Sequence, residues 1–118
     1  MDTTCLIVDD SKAFVVSATD LLESQGMRVV GSASSGQVAL RLIESLRPGL
    51  ALVDVELGVE DGIELAEEIT RCAPWTKVVL ISGREREDLG DLISGSAAAG
   101  FLAKDALSVV AIESLVEG

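Results

Sequence analysis

Asp9-Asp10, Asp54, Ser82 and Lys104 each stand where an apolar, strand-like run of this chain ends. Brought together, they form a pocket of three carboxylates, a hydroxyl and an ammonium group, a set suited to a divalent cation and a phosphoryl group. Two carboxylates ~4 Å apart repel by about 4 kcal/mol at an effective dielectric near 20, so such a pocket is frustrated without a cation. A hard ion that takes oxygen ligands relieves the repulsion, and Mg²⁺, which keeps several waters, fits the donor set. An aspartate placed there can also act as a nucleophile and form an acyl phosphate. Phosphoryl transfer mainly needs alignment and neutralisation of the three equatorial oxygens. Mg²⁺ would take one, Lys104 another, and the Ser82 hydroxyl or nearby backbone N–H groups the third. Asp54 is the expected nucleophile, because the adjacent pair Asp9-Asp10 is better suited to holding the ion. Taken singly, each residue has a plainer reading: Asp10 as the N-cap of the first helix, Ser82 as that of the fourth, Lys104 as a solvated lysine.

The runs that must position these groups are Cys5-Leu6-Ile7-Val8, Leu50-Ala51-Leu52-Val53, Lys77-Val78-Val79-Leu80-Ile81 and Gly100-Phe101-Leu102-Ala103. Met27 to Ala33 reads as a further strand. Apolar runs with little alternation suit strands covered on both faces. Between them, apolar residues recur at helical spacing: Phe14, Val15, Ala18, Leu21 and Leu22, closed by Gly26; then Ala39, Leu42, Ile43 and Leu46, stopped by Pro48-Gly49. A third helix starts near Asp61, turns Gly62, Leu65, Ala66 and Ile69 inward, and ends before Pro74. Residues 56–60 read as a loop. Five βα units of this kind imply parallel strands joined by right-handed crossovers. Parallel strands bring their carboxyl ends to one edge, where open α/β sheets do their chemistry. Residues about 50 positions apart would then converge there.

Two later segments depart from the regular pattern. The predicted fourth helix, 85–99, carries Leu89, Leu92 and Ile93 but also Gly90 and Gly95; each interior glycine costs about 1 kcal/mol relative to alanine, which predicts a weakly held helix. The final segment, 107–116, places Leu107, Val109, Val110, Ala111, Ile112, Leu115 and Val116 almost all round a helix. One face must pack on the sheet, and the rest is left for water or a partner.

A chain of 118 residues with 48% apolar composition forms one domain with a real core. No apolar stretch reaches the roughly 18 residues that span a bilayer, and the N-terminus lacks a charged-then-apolar signal pattern, so the expected location is cytoplasmic. The two cysteines, Cys5 and Cys72, have no metal-ligand spacing and read as reduced packing residues. Net charge is −11, with no histidine, which argues against this domain binding nucleic acid directly. From Asp54 to Glu68 there are seven carboxylates and no base; beyond Glu60 that run reads as a solvated face.

Four stretches, in this order and spacing, resemble the receiver domain of two-component response regulators over essentially the whole chain, 1–118. They are Leu6-Ile7-Val8-Asp9-Asp10, the span from Asp54 through Glu56 to Asp61-Gly62, Ile81-Ser82-Gly83, and Gly100-Phe101-Leu102-Ala103-Lys104-Asp105. The resemblance implies a flavodoxin-like (βα)5 three-layer α/β sandwich with strand order 2-1-3-4-5. It implies that Asp54 is phosphorylated by a histidine kinase or phosphotransfer protein. It also implies Mg²⁺ held by Asp10, Asp54 and the main-chain carbonyl of Glu56, with Asp9 helping through water. Lys104 and Ser82 would serve the phosphoryl group, and Ser82 and Phe101 match the family's switch pair. The implied readout surface is the fourth helix, fifth strand and fifth helix, and a homodimer through that surface is compatible with the apolar last helix.

Leu57-Gly58 stands where the family often has Met-Pro, which predicts a more mobile loop beside Asp54. Phe101 replaces a frequent tyrosine and can signal by packing alone. Lys104-Asp105-Ala106 is similar to the receivers of LuxR-type transcriptional regulators, which carry a C-terminal helix-turn-helix; these 118 residues include none. Two other functions fit parts of the pattern. One is a receiver-like interaction module that no longer uses phosphate. The other is a phosphatase of haloacid-dehalogenase type, suggested by Asp54-Val55-Glu56, although that family has Asp in the second position and a substrate-binding cap. On the receiver reading no separate substrate is expected. A further expectation is that Glu56 and Arg84 pair across the pocket and limit entry of hydrolytic water.

Overall fold

The computed structural model describes residues 3–83 and 96–117. Five parallel strands form one sheet: β1 (Thr4–Val8), β2 (Arg28–Ala33), β3 (Leu50–Asp54), β4 (Lys77–Ser82) and β5 (Gly100–Ala103). Their order across the sheet is β2-β1-β3-β4-β5, the order that the receiver resemblance implies. Three helices link the first strands: α1 (Lys12–Ser24), α2 (Gly36–Leu46) and α3 (Gly62–Cys72). A last helix spans Val109–Val116. The predicted fourth helix, 85–99, lies largely outside the described residues.

Alternate residues of each strand feed two separate cores, which is what makes the structure three-layered. Leu6, Val8, Ala51, Val53, Val78 and Leu80 face Ala39 and Ile43 of α2 and Leu65, Ala66 and Ile69 of α3. Cys5, Ile7, Leu50, Leu52, Val79 and Ile81 face Ala18 and Leu22 of α1 and Ile112 of the last helix. Both faces are therefore covered, as the unbroken apolar runs require.

Local chemistry sets the helix ends. The α1 cap is Ser11, whose hydroxyl accepts from the Phe14 N–H; the Asp10 carboxylate is left free of that task. Asp61 caps α3 by accepting from the Ile63 and Glu64 N–H groups. α2 ends one residue before Pro48, at Arg47 in the left-handed region (φ 47, ψ 57). That conformation costs a non-glycine residue roughly 1 kcal/mol or more, and the guanidinium stacked 4.1 Å from the Trp75 ring centroid offsets it. Some apolar positions face solvent after all: Leu21 and Leu46 are exposed, as is Val110 of the last helix.

Residues 56–60 are more ordered than a loop. Glu56–Leu57 pairs antiparallel with Glu60–Asp61, turning through Gly58 at φ +61, a conformation that glycine adopts without steric penalty. This ribbon depends on burial of Leu57, which is 1% exposed.

The two cysteines differ sharply. Burial in the strand core pushes the Cys5 thiol up to about 12, whereas Cys72 is exposed at the end of α3. At mildly alkaline pH a maleimide is expected to label Cys72 alone, because the thiolate is the nucleophile. Labelling of Cys5 should appear only with unfolding; mass spectrometry of the labelled peptides checks this.

Candidate phosphoryl and cation site

Asp9, Asp10, Asp54, Ser82 and Lys104 lie at the carboxyl edge of the sheet, whereas Phe101 stands second in β5 and Glu56 in the ribbon that follows β3. Asp9 follows β1, Asp54 and Ser82 are the last residues of β3 and β4, and Lys104 follows β5. The register places Asp54 beside Ile81 and Ser82 beside Ala103. Thus the strand pairing alone puts the hydroxyl one step beyond the carboxylate.

Asp9, Asp10 and Asp54 each offer an oxygen, all within 4.8 Å of one another. Asp9 and Asp54 are buried and Asp10 is exposed, so the cluster opens toward solvent on the Asp10 side. The Lys104 ammonium bridges the two buried carboxylates, 2.7 Å from Asp9 Oδ2 and 3.3 Å from Asp54 Oδ2. The remaining oxygens are held by backbone. Asp9 Oδ1 accepts from the Ser11 N–H at 2.8 Å, and Asp54 Oδ1 accepts from the Glu56 N–H at 3.0 Å. Lys104 also sits 4.4 Å over the Phe14 ring.

One ammonium does not balance three carboxylates. Burial lifts the Asp54 carboxyl above its ordinary range and the charge of Asp9 lifts it further, against the opposing pull of the Glu56 N–H and Lys104. Burial works against the Lys104 ammonium too, but its close ion pair with Asp9 and the charge of Asp54 outweigh that and hold its pKa raised. The oxygen donors and the residual negative charge fit a hard divalent ion.

Glycines let the backbone close around this cluster. A Cβ at Gly62 would lie 1.9 Å from the Asp54 carbonyl oxygen, and the Gly62 N–H donates to the Val55 carbonyl; only glycine permits α3 to start so close to the end of β3. A Cβ at Gly58 would come within 3.4 Å of Asp10 Oδ2, so the tip of the ribbon overhangs the cluster. Ser82 is buried at 1% exposure. Phe101 is half-buried and packs against the α2–α3 side of the core. Phe14 was legible as a helix-face apolar residue, but nothing in its spacing pointed to Lys104. The expected Glu56–Arg84 pair falls outside the described residues, as Arg84 does.

The family model for the response regulator receiver domain matches residues 5–115, and this chain belongs to that family, whose members are the phosphorylatable switches of two-component signalling. It is 31% identical over 102 residues to the response regulator GacA of Pseudomonas aeruginosa, covering 86% of this chain and 48% of that protein. It is 38% identical over 86 residues to a protein-glutamate methylesterase/protein-glutamine glutaminase of Halobacterium salinarum, covering 73% of this chain and 24% of that protein. The chain thus spans half or less of the length of these curated relatives. Among solved structures it is similar to the signal receiver domain of the response regulator NarL from Mycobacterium tuberculosis, with TM-score 0.84 and 28% identity, covering 98% of this chain and 94% of that one.

The charge balance predicts stability changes of opposite sign. A raised folded-state pKa means that the protonated Asp54 carboxyl stabilises the fold at acidic pH, and that contribution is lost as pH rises through the raised value. Asp54→Asn should therefore stabilise the metal-free protein at neutral pH by about 1 kcal/mol, the balance of repulsion relieved and lysine attraction lost. The gain should shrink as pH falls through the Asp54 pKa. Lys104→Met should destabilise by about 3 kcal/mol, because it leaves Asp9 buried without its cation. Urea unfolding across a pH series measures both.

Proposed function

We propose that this chain, 1–118, is one receiver domain acting as a Mg²⁺-dependent aspartyl-phosphate switch with Asp54 as phosphoacceptor. One observation carries the reading: three carboxylates converge within 4.8 Å while a single lysine bridges the two that are buried. The arrangement is poised for a divalent ion, and its fixed ammonium adds a second positive charge for phosphoryl oxygens.

In the proposed reaction an Asp54 carboxylate oxygen attacks the phosphorus of a phosphohistidine on a histidine kinase or phosphotransfer protein. A P–O bond forms, the P–N bond breaks, and the imidazole leaves with the electron pair. Asp10, Asp54 and the main-chain carbonyl of Glu56 would hold Mg²⁺, with Asp9 contributing through water. The bound ion would neutralise charge on the transferring group. The Glu56 N–H orients Asp54 through Oδ1, Asp9 fixes the Lys104 ammonium, and the Ser82 hydroxyl would take a phosphoryl oxygen.

Ser82 and Phe101 form the proposed switch. They lie on adjacent strands, β4 and β5. A hydrogen bond to a charged group is worth about 1.5–3 kcal/mol, which shifts a two-state equilibrium about 10- to 150-fold. The readout would run through β5 and the last helix, together with 85–99, to a partner, a transcription-regulating output domain or a second copy of the chain. The working location is the cytoplasm; among the described residues no helix is long and apolar enough to cross a membrane.

Incubation with acetyl phosphate and Mg²⁺ should add one phosphoryl group to the intact mass, absent without Mg²⁺ and in Asp54→Ala. No gain, together with no tight binding of beryllofluoride, would instead favour a phosphate-independent interaction module. Sedimentation of the beryllofluoride-bound protein is expected to show a dimer weakened by Val110→Glu, since Val110 is 76% exposed on the last helix. A strictly monomeric profile would remove the homodimer from the proposal.

A further inference from the structure

We propose that Glu60 is a positioning residue: its carboxylate latches the ribbon beside Asp54 onto the N-terminus of α2 and so sets the shape of the cation pocket. This rests on the reading of the Asp9, Asp10 and Asp54 cluster as a divalent-ion site.

Glu60 Oε1 accepts from the Gly36 N–H at 3.0 Å, across 24 residues of chain. Gly36 is the first residue of α2, where backbone N–H groups have no partner inside the helix and the dipole favours a negative charge. The cap Ser35 serves the Val38 N–H instead, and the first turn of α2 holds no acidic residue of its own. Glu60 supplies that missing carboxylate from outside the helix. The bare Cα of Gly36 makes room for it, since a Cβ there would lie 2.7 Å from Glu60 Oε1.

The same residue belongs to the ribbon over the pocket. Glu60 pairs with Leu57, and Asp61 with Glu56. Leu57 is locked in the core, Asp61 caps α3, and Gly58 between the two arms overhangs Asp10. Glu56 gives its N–H to Asp54, and its carbonyl is the proposed third ligand. Glu60 is thus the anchor of the ribbon to α2, while the opposite arm carries groups that face the cation.

Mg²⁺ titrations followed by ¹H–¹⁵N amide shifts test this on the wild type and four variants. Glu60→Ala, and Gly36→Ala, whose new Cβ displaces the carboxylate, should weaken Mg²⁺ binding about 5-fold, the loss of one charge-assisted hydrogen bond of modest net worth. Glu60→Gln should stay within about 2-fold of wild type, because its amide oxygen still accepts. Ser35→Ala removes the hydroxyl cap of the same helix and should lower the urea unfolding midpoint while leaving Mg²⁺ affinity unchanged. Equal weakening in Glu60→Gln and Glu60→Ala would mean that only distant charge matters, and would overturn the proposal. So would Ser35→Ala weakening binding as much as Glu60→Ala, or Glu60→Ala binding like wild type. A wild type with no saturable Mg²⁺ shift would overturn the cation-site reading and the positioning role with it. The latch itself is read separately from the Gly36 amide resonance, displaced in Glu60→Ala and retained in Glu60→Gln.

Discussion

Like charge held together at one sheet edge is the constraint on which the rest of this structure depends. Asp9 and Asp54 are buried at the ends of neighbouring strands, with Asp10 beside them, and Lys104 reaches both buried carboxylates from the end of β5. Carboxylates at this separation repel by several kcal/mol at the dielectric of a partly buried site. Their coexistence needs a backbone that cannot relax away. That rigidity comes from the hydrogen-bonded register of β1, β3, β4 and β5 and from a core filled on both sheet faces.

The frustration is directional, which makes it usable. The Lys104 ammonium lies closer to Asp9 than to Asp54, so Asp9 is the better compensated of the buried pair. Asp54 keeps an excess of negative charge and a raised carboxyl pKa, with burial the main cause and Asp9 adding to it. A cation entering beside Asp10 would gain most from Asp54, the proposed phosphoacceptor. The Phe14 ring beneath the ammonium limits where Lys104 can go and keeps it over the pocket.

Much of this was legible in the chain because strand ends and helix caps are local signals. Asp54 ends an apolar run, Asp61 precedes a helix-spaced set, and Gly62 stands where α3 must start against the Asp54 carbonyl. Parallel pairing then follows from helices lying between strands, and the acid, acid, hydroxyl and lysine order from the sequence of strand ends. What was not legible depends on contacts between distant segments. The ribbon at Glu56–Leu57 and Glu60–Asp61 is too short to show strand periodicity and exists because Leu57 is buried. The left-handed Arg47 depends on Trp75, and the role of Phe14 on a lysine that lies far along the chain.

The proposed transmission away from the site rests on the same tight packing. Lys104 is continuous with β5, and Gly100 at the start of that strand lies against Leu115 of the last helix so closely that a Cβ would come within 2.6 Å of its side chain. No slack exists there to absorb a shift of the strand. The helix is meanwhile tied at its other end, where the Val109 N–H donates to Gln25 Oε1 beyond α1. On the proposed switch reading, a strand pulled by Lys104 or displaced by Phe101 would therefore reorient the last helix about its tied first turn rather than translate it. The exposed Val110 sits in that tied first turn, whereas Leu115 and Val116 lie at the end packed on β5, so the proposed change of charge at Asp54 would reach the apolar surface as a rotation.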